Sequence, residues 1–229
     1  SNYGYELKNQ LQNQGYDYFY YFVDIKHSFG KYNEGVAILS KYFLHDIKGN
    51  YISKSQDYYN WKSRKMIKGD IHFSNKTISL VSTHLGWTDD NEKFEDQIER
   101  MFAHLDKNQL LLIAGDFNVS PITNEYSKIL SNGLHDLYAS NPKHLFDPTH
   151  IKDIDLHKGV TRIDYIFSNE KLEVLDREIN PVSKNALAHY FLAYINGKIV
   201  GRVAALIRRV LLQQQELVVE DVQFLDPRS

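Results

Sequence analysis

Short apolar runs of strand length, separated by turn signals, dominate the first 180 residues, and no repeat of 20 to 50 residues or flexible linker divides that stretch. Tyr16 to Val23, Val36 to Ser40, Met66 to Phe73, Thr77 to Leu85 and Leu110 to Ala114 read as strands, with Asn75 and Lys76 as a hairpin turn. After Leu85 the spacing changes. Phe94, Ile98, Met101, Phe102 and Leu105 recur at three and four residues behind the acidic start Asp89-Asp90-Asn91-Glu92, which predicts an amphipathic helix. A shorter helix is expected after Ser120-Pro121, with Ile122, Tyr126 and Ile129 or Leu130 on one face. Arg162 to Ser168 and Leu172 to Ile179 return to strand character. Strands outnumber helices and helices fall between strands. The expected class is α+β, or a layered α/β sandwich with sheets inside and helices outside.

Composition narrows the function classes. At 229 residues the chain suits one large domain or one domain with an appendage. A hydrophobic fraction of 42% with 16 Tyr and 12 Phe is ample for a packed core, and a net charge of -2 argues against a globally basic nucleic-acid binder. The absence of cysteine removes disulfides, thiol catalysis and cysteine zinc sites, so any metal must sit on oxygen or imidazole. The longest purely aliphatic run, Leu110 to Ala114, is far too short to span a bilayer, and no secretory signal can be read at the N-terminus. A cytoplasmic location, no membrane partner and a fragmentary start are the expectations.

Several polar residues end apolar strands. His84 closes the run Ile78-Ser79-Leu80-Val81-Ser82-Thr83, delivering an imidazole to a sheet's rim, where bonding to a neighbour is the plain alternative to chemistry. Asp116 and Asn118 follow Leu110 to Gly115 and, two apart on an extended segment, face the same side; turn chemistry is the competing explanation. Asp164 interrupts the apolar face of Ile163, Tyr165 and Phe167 and needs a partner; Arg162 is adjacent, but neighbouring strand residues point to opposite faces, which favours a more distant one. Glu34, at the start of Gly35-Val36-Ala37-Ile38-Leu39, poses the same question. Hard oxygen donors without thiolate select Mg²⁺ or Mn²⁺ over zinc. Metal ions, imidazoles and a guanidinium such as Arg64 are what phosphate-ester hydrolysis requires.

Four segments in order, Asn33-Glu34-Gly35-Val36-Ala37-Ile38-Leu39-Ser40, Ser82-Thr83-His84-Leu85, Ala114-Gly115-Asp116-Phe117-Asn118 and Arg162-Ile163-Asp164-Tyr165-Ile166-Phe167, resemble the endonuclease/exonuclease/phosphatase superfamily of metal-dependent phosphoesterases. The likeness covers residues 1–194, leaving 195–229 as a C-terminal extension. It implies a four-layered α/β sandwich, two packed mixed sheets flanked by helices, with the site at one end. By this resemblance His84 contacts the phosphoryl group or leaving oxygen and Glu34 orients its ring. Asp116 and Asn118 position water and phosphate and hold the metal, and Arg64 steadies the phosphate. Asp164 holds the tautomer of a general base, for which His189 in Leu187-Ala188-His189-Tyr190 is the candidate; Ala188 stands where the family has Asp. The family's first strand and a following strand ending in Gln-Glu, which supplies the principal metal ligand, are expected before Tyr3. The fold is therefore expected to be incomplete at the N-terminus and the activity impaired.

The implied activity is hydrolysis of a small phosphomonoester such as a sugar phosphate, with a DNA endo- or exonuclease or a catalytically dead binding module as alternatives. The neutral charge disfavours a nuclease. Asp153-Ile154-Asp155 ahead of Arg162 looks like bacterial maltose 6′-phosphate phosphatases, and Trp87, just past His84, is placed to stack on a sugar. The tail differs in texture. Tyr190 to Ile195, Asn196-Gly197 and Lys198 to Leu206 form a strong hairpin signal, similar to the central hairpin of Gcn5-related acetyltransferases but without their pyrophosphate loop. Beyond it Gln213-Gln214-Gln215 and the closing Asp-Pro-Arg-Ser read as a helix-to-loop tail, with a strand from Leu217 to Phe224 between them.

Overall fold

A computed structural model describes residues 3–139 apart from 14, 29, 31, 74–75, 89 and 91, then 150–151, 160–176, 191–195, 198–203, 209–212, 215–217 and 221–223. In chain order the elements are α1 (Tyr3–Asn13), β1 (Phe19–Ser28), β2 (Tyr32–Ser40), β3 (His45–Tyr51), β4 (Lys65–Phe73), β5 (Lys76–His84), α2 (Phe94–Ala103), β6 (Leu110–Asp116) and α3 (Asn124–Ser131). They continue with β7 (His135–Asp136), β8 (His150–Ile151), β9 (Val160–Thr161), β10 (Asp164–Ser168), β11 (Glu173–Asp176), β12 (Phe191–Ile195), β13 (Lys198–Val203), β14 (Arg209–Leu212), β15 (Gln215–Leu217) and β16 (Asp221–Gln223).

The central sheet has six strands in the order β3-β4-β5-β6-β10-β7, and a second sheet runs β1-β2-β16. Alternation along each strand decides what lies on either side. Leu110, Leu112, Ala114, Ile78, Ile67 and Ile166 from the six-stranded sheet pack against Ile25, Val36 and Ile38 of the other, closing an apolar seam between the sheets. The opposite face, Met66, Val81, Leu111, Ile113, Tyr165 and Phe167, is covered by Phe94, Ile98, Met101 and Phe102 of α2 and Tyr126 and Ile129 of α3. On the far side of the smaller sheet α1 sets the Tyr5 ring 6.5 Å from that of Tyr20. Helix, sheet, sheet, helices make four layers, and the layered sandwich matches the expected class, although only the six-stranded sheet is mixed and the described strands of the smaller one are all antiparallel. No helix among the described residues is long and apolar enough to cross a membrane.

Several local expectations shift. β1 begins at Phe19 and runs to Ser28, five residues beyond the expected Val23, because its charged C-terminal part pairs with the start of β2. Phe73 sits opposite Lys76, so Lys76 already belongs to β5 and residues 74–75 make the connection. α3 begins at Asn124, where Thr123 Oγ1 accepts the Tyr126 N–H at 3.3 Å; this cap leaves Ile122 outside the helix and exposed rather than on its apolar face. α1 and β3 carry weak periodic signals and were not expected. The tail hairpin forms as β12 and β13, with Ile195 opposite Lys198. Arg209–Leu212 and Gln215–Leu217 pair as β14 and β15 where a helix end is expected, Gln213 and Gln214 lying outside the described residues; of the expected Leu217 to Phe224 strand the described parts are Leu217 in β15 and β16, which pairs with β2.

Candidate active site

Parallel pairing of β5 with β6 puts His84 opposite Asp116, and antiparallel pairing of β10 with β6 puts Asp164 opposite Asp116 on the other side. All three stand at the ends of rows whose other members, among them Ile78, Leu112 and Ile166, point into the seam between the sheets. The seam therefore turns polar at one end, with two buried carboxylates and an imidazole at a single level. His84 Nε2 lies 3.8 Å from Asp116 Oδ2. Burial, with the Arg64 and Lys26 charges adding, pushes the imidazole well below its ordinary range, so it is neutral at physiological pH.

Beyond β6 the chain turns sharply. Asn118 adopts a left-handed backbone, φ 53°, which Asn tolerates better than most residues. Its N–H donates to Asp116 Oδ1 at 2.8 Å, and its Nδ2 donates to the Leu85 carbonyl at 2.7 Å, next to His84. That second bond fixes the amide's orientation and leaves Asn118 Oδ1 buried without a hydrogen-bond partner. A buried, orphaned amide oxygen beside Asp116 is a hard donor, and the pair fits a divalent cation of the Mg²⁺ class in kind. Among the described residues no group of three or more His, Asp or Glu that could hold a metal ion is found.

The cations come from the other sheet and a loop. A bulge between Asp24 and Lys26 shifts the register of β1, so that Lys26 faces Glu34 and turns inward beside Ile25. Lys26 Nζ pairs with Glu34 Oε2 at 3.3 Å and donates to the Trp61 carbonyl. Arg64 Nη1 donates to the same carbonyl at 3.0 Å, and its Nη2 lies 3.9 Å from Asp90 Oδ2, whose other oxygen is 3.4 Å from Lys62 Nζ. Burial and the neighbouring Arg64 charge lower Lys26 to about 8 despite Glu34. Arg64 Nε is buried without a partner, a second orphaned polar atom, and this one is a donor. Residues 52–64 are held in shape by Ser53, Ser55 and Ser63, with Ser63 Oγ donating to the Asp57 carbonyl at 2.7 Å and the Arg64 N–H to Ser53 Oγ at 2.7 Å. Arg100 Nε ties the loop to α2 through the Ile52 carbonyl at 2.7 Å.

Of the residues singled out from sequence, His84, Asp116 and Asp164 share one row, and Asn118 is bonded into it. Arg64 joins the cluster through Asp90 and exerts its charge on His84. Trp87 is exposed on the turn that leads to Asp90, whose N–H donates to the Trp87 carbonyl at 3.1 Å. Glu34 pairs with Lys26. Arg162 finds its partner in Asp136, not Asp164. Ala188, His189 and the Asp153-Ile154-Asp155 stretch lie outside the described residues. Sequence reasoning missed Lys26, Lys62 and Asp90. A lysine in an aromatic strand gives no signal unless the bulge is known, and Asp90 reads as one more acidic residue ahead of α2.

Two packed sheets flanked by helices, with a polar, cation-ringed cluster where their seam ends, define a layered α/β sandwich. The chain belongs to the endonuclease/exonuclease/phosphatase family, whose family model matches residues 3–186. Among solved structures it is similar to an endonuclease/exonuclease/phosphatase family protein from Leptotrichia buccalis C-1013-b, at 29% identity over 76% of this chain and 69% of that one, with a TM-score of 0.68. It shares its fold with an endonuclease/exonuclease/phosphatase from Beutenbergia cavernae DSM 12333, at 15% identity over 90% of this chain and 65% of that one and a TM-score of 0.59. The same holds for the human Nocturnin catalytic domain with bound sulfate anion, at 16% identity over 82% and 73% and a TM-score of 0.57. No curated protein matches the chain.

Proposed function

We propose that the cluster binds the phosphoryl group of a small phosphate monoester and hydrolyses it. The observation that carries this reading is the meeting of a neutral His84 with Arg64 and Lys26 at one end of the seam, where Lys26, Lys62 and Arg64 share two carboxylates, Glu34 and Asp90. Such a site offers charge for a single phosphoryl dianion. A polyanion would need cations left unpaired along a track.

The unpartnered Arg64 Nε and the Lys26 ammonium supply donors to the phosphoryl oxygens, charge that matters most as negative charge builds in the transition state. Asn118 and Asp116 orient water and phosphate, and the neutral His84 ring can donate its remaining N–H to the phosphoryl group or the departing oxygen. A water oxygen forms the new bond to phosphorus while the ester P–O bond breaks. The water's proton goes to a base, for which family likeness points to His189 with Asp164 fixing its tautomer, and the leaving alkoxide is protonated from solvent or that base. Mg²⁺ or Mn²⁺, held through Asp116 and Asn118, would supply Lewis-acid charge stabilisation when bound.

The test is release of inorganic phosphate from glucose 6-phosphate with Mg²⁺ or Mn²⁺, beside a plasmid-nicking assay. Phosphate release that falls about 100-fold or more in His84→Ala supports the reading. Nicking without phosphate release replaces it with a nuclease, and neither activity in a folded chain replaces it with a binding module.

A further inference from the structure

Trp61 does two things at once. Its backbone carbonyl accepts from both Lys26 and Arg64, so the residue's main chain is part of the phosphate-facing cluster. Its indole, 56% exposed, stands outward at that cluster's rim, with Lys62 Nζ 4.9 Å from the ring centroid. Lys62 in turn reaches Asp90, and Asp90 shares a turn with Trp87, itself 43% exposed. These are the chain's only two tryptophans, and both flank one Lys62–Asp90 bridge. A large apolar ring that keeps more than half its surface in water beside the Lys62 ammonium, on the residue whose carbonyl holds the buried cations, offers a contact surface.

We infer that Trp61 is the stacking platform for the non-phosphoryl part of the substrate, and that this part is a pyranose sugar, with Asp90 accepting sugar hydroxyls. The inference rests on the phosphate-binding reading above and specifies what lies beyond the phosphoryl group. The apolar face of a pyranose presents weakly positive C–H groups to the negative face of an indole. Carboxylates beside the platform favour a ligand rich in hydroxyl donors. A nucleic-acid strand would bring further phosphates against Asp90 and Glu34, and the nearby cations are already paired with those two acids.

The two tryptophans give the experiment its reporter. In Trp87→Phe, Trp61 is the single indole, and its fluorescence can be followed during titration with glucose 6-phosphate, glucose, adenosine 5′-monophosphate and inorganic phosphate. Calorimetry measures the affinity of each in parallel. Glucose 6-phosphate should shift Trp61 emission and bind more tightly than inorganic phosphate. Trp61→Ala should weaken glucose 6-phosphate roughly tenfold more than it weakens inorganic phosphate, and Trp61→Phe should restore most of that difference. If phosphate binds, is lost in Arg64→Ala, and yet glucose 6-phosphate binds no better and leaves Trp61 silent, the platform is wrong and the phosphate site stands. A larger Trp61 shift with the adenine nucleotide overturns the sugar in favour of a base. Failure of every phosphorylated probe to bind removes the phosphate-site reading and this inference together.

Discussion

Lys26 carries a charge into a nearly water-free place, and its protonation should be readable. Burial, then repulsion from Arg64, lowers it from the ordinary 10.5 to about 8. Between those values the unfolded chain binds more protons than the folded one, so stability should rise with pH across that window and be lower below pH 8. Urea denaturation of wild type against Lys26→Met, repeated from pH 7 to 10.5, should show the wild type gaining on the variant by about 3 kcal/mol. A parallel pair of curves would mean that Lys26 does not titrate there. Function should move the opposite way. Inorganic phosphate needs the ammonium form, so its affinity should weaken above pH 8 in wild type, and Lys26→Met should bind weakly at every pH. Asn118 offers a second residue-scale check. Asn118→Gly relieves the positive φ but removes the amide, so it should fold yet lose most phosphate release.

At the scale of elements, the polar end of the sheet is braced from behind by a buried pair. Arg162 is 1% exposed, meets Asp136 through both terminal nitrogens, and stacks its guanidinium 4.4 Å from the Tyr165 ring centroid. Tyr126 of α3 donates to Asp136 Oδ2 at 2.8 Å, so β7, α3 and the segment leading into β10 are joined through one carboxylate. Removing one partner leaves an uncompensated charge in the interior. Arg162→Met should therefore cost about 3–5 kcal/mol in chemical denaturation, while Arg162→Met with Asp136→Leu should recover much of it. The α3 cap is a smaller lever. Thr123→Ala should cost about 1 kcal/mol and leave the site untouched, which distinguishes a loss of helix stability from a loss of chemistry.

For the whole molecule, stability and function share the seam between the sheets. Leu112 sits two positions before Ala114 and four before Asp116 on the row that ends in the cluster. Leu112→Ala should cost about 2–5 kcal/mol, with any loss of phosphate release tracking the unfolded fraction rather than preceding it. Sequence pattern alone determined that there are strands ending in polar residues, and it located His84, Asp116, Asn118 and Asp164, because period-two alternation and an apolar run stopping at a charge are local signals. The amphipathic spacing of α2 was equally local. What only the tertiary structure decided is which of those strand ends adjoin. The parallel crossover from β5 to β6 and the antiparallel return of β10 set the three side chains abreast, and strand order leaves no trace in any one segment. Tertiary structure also gave Lys26 its inward aim, since a bulge is a property of two strands together. It gave Arg162 to Asp136, Asp90 to Lys62 and Arg64, and the Trp61 carbonyl to Lys26, because these partners lie more than twenty residues apart and pairing at such separation is set by packing rather than by neighbouring sequence.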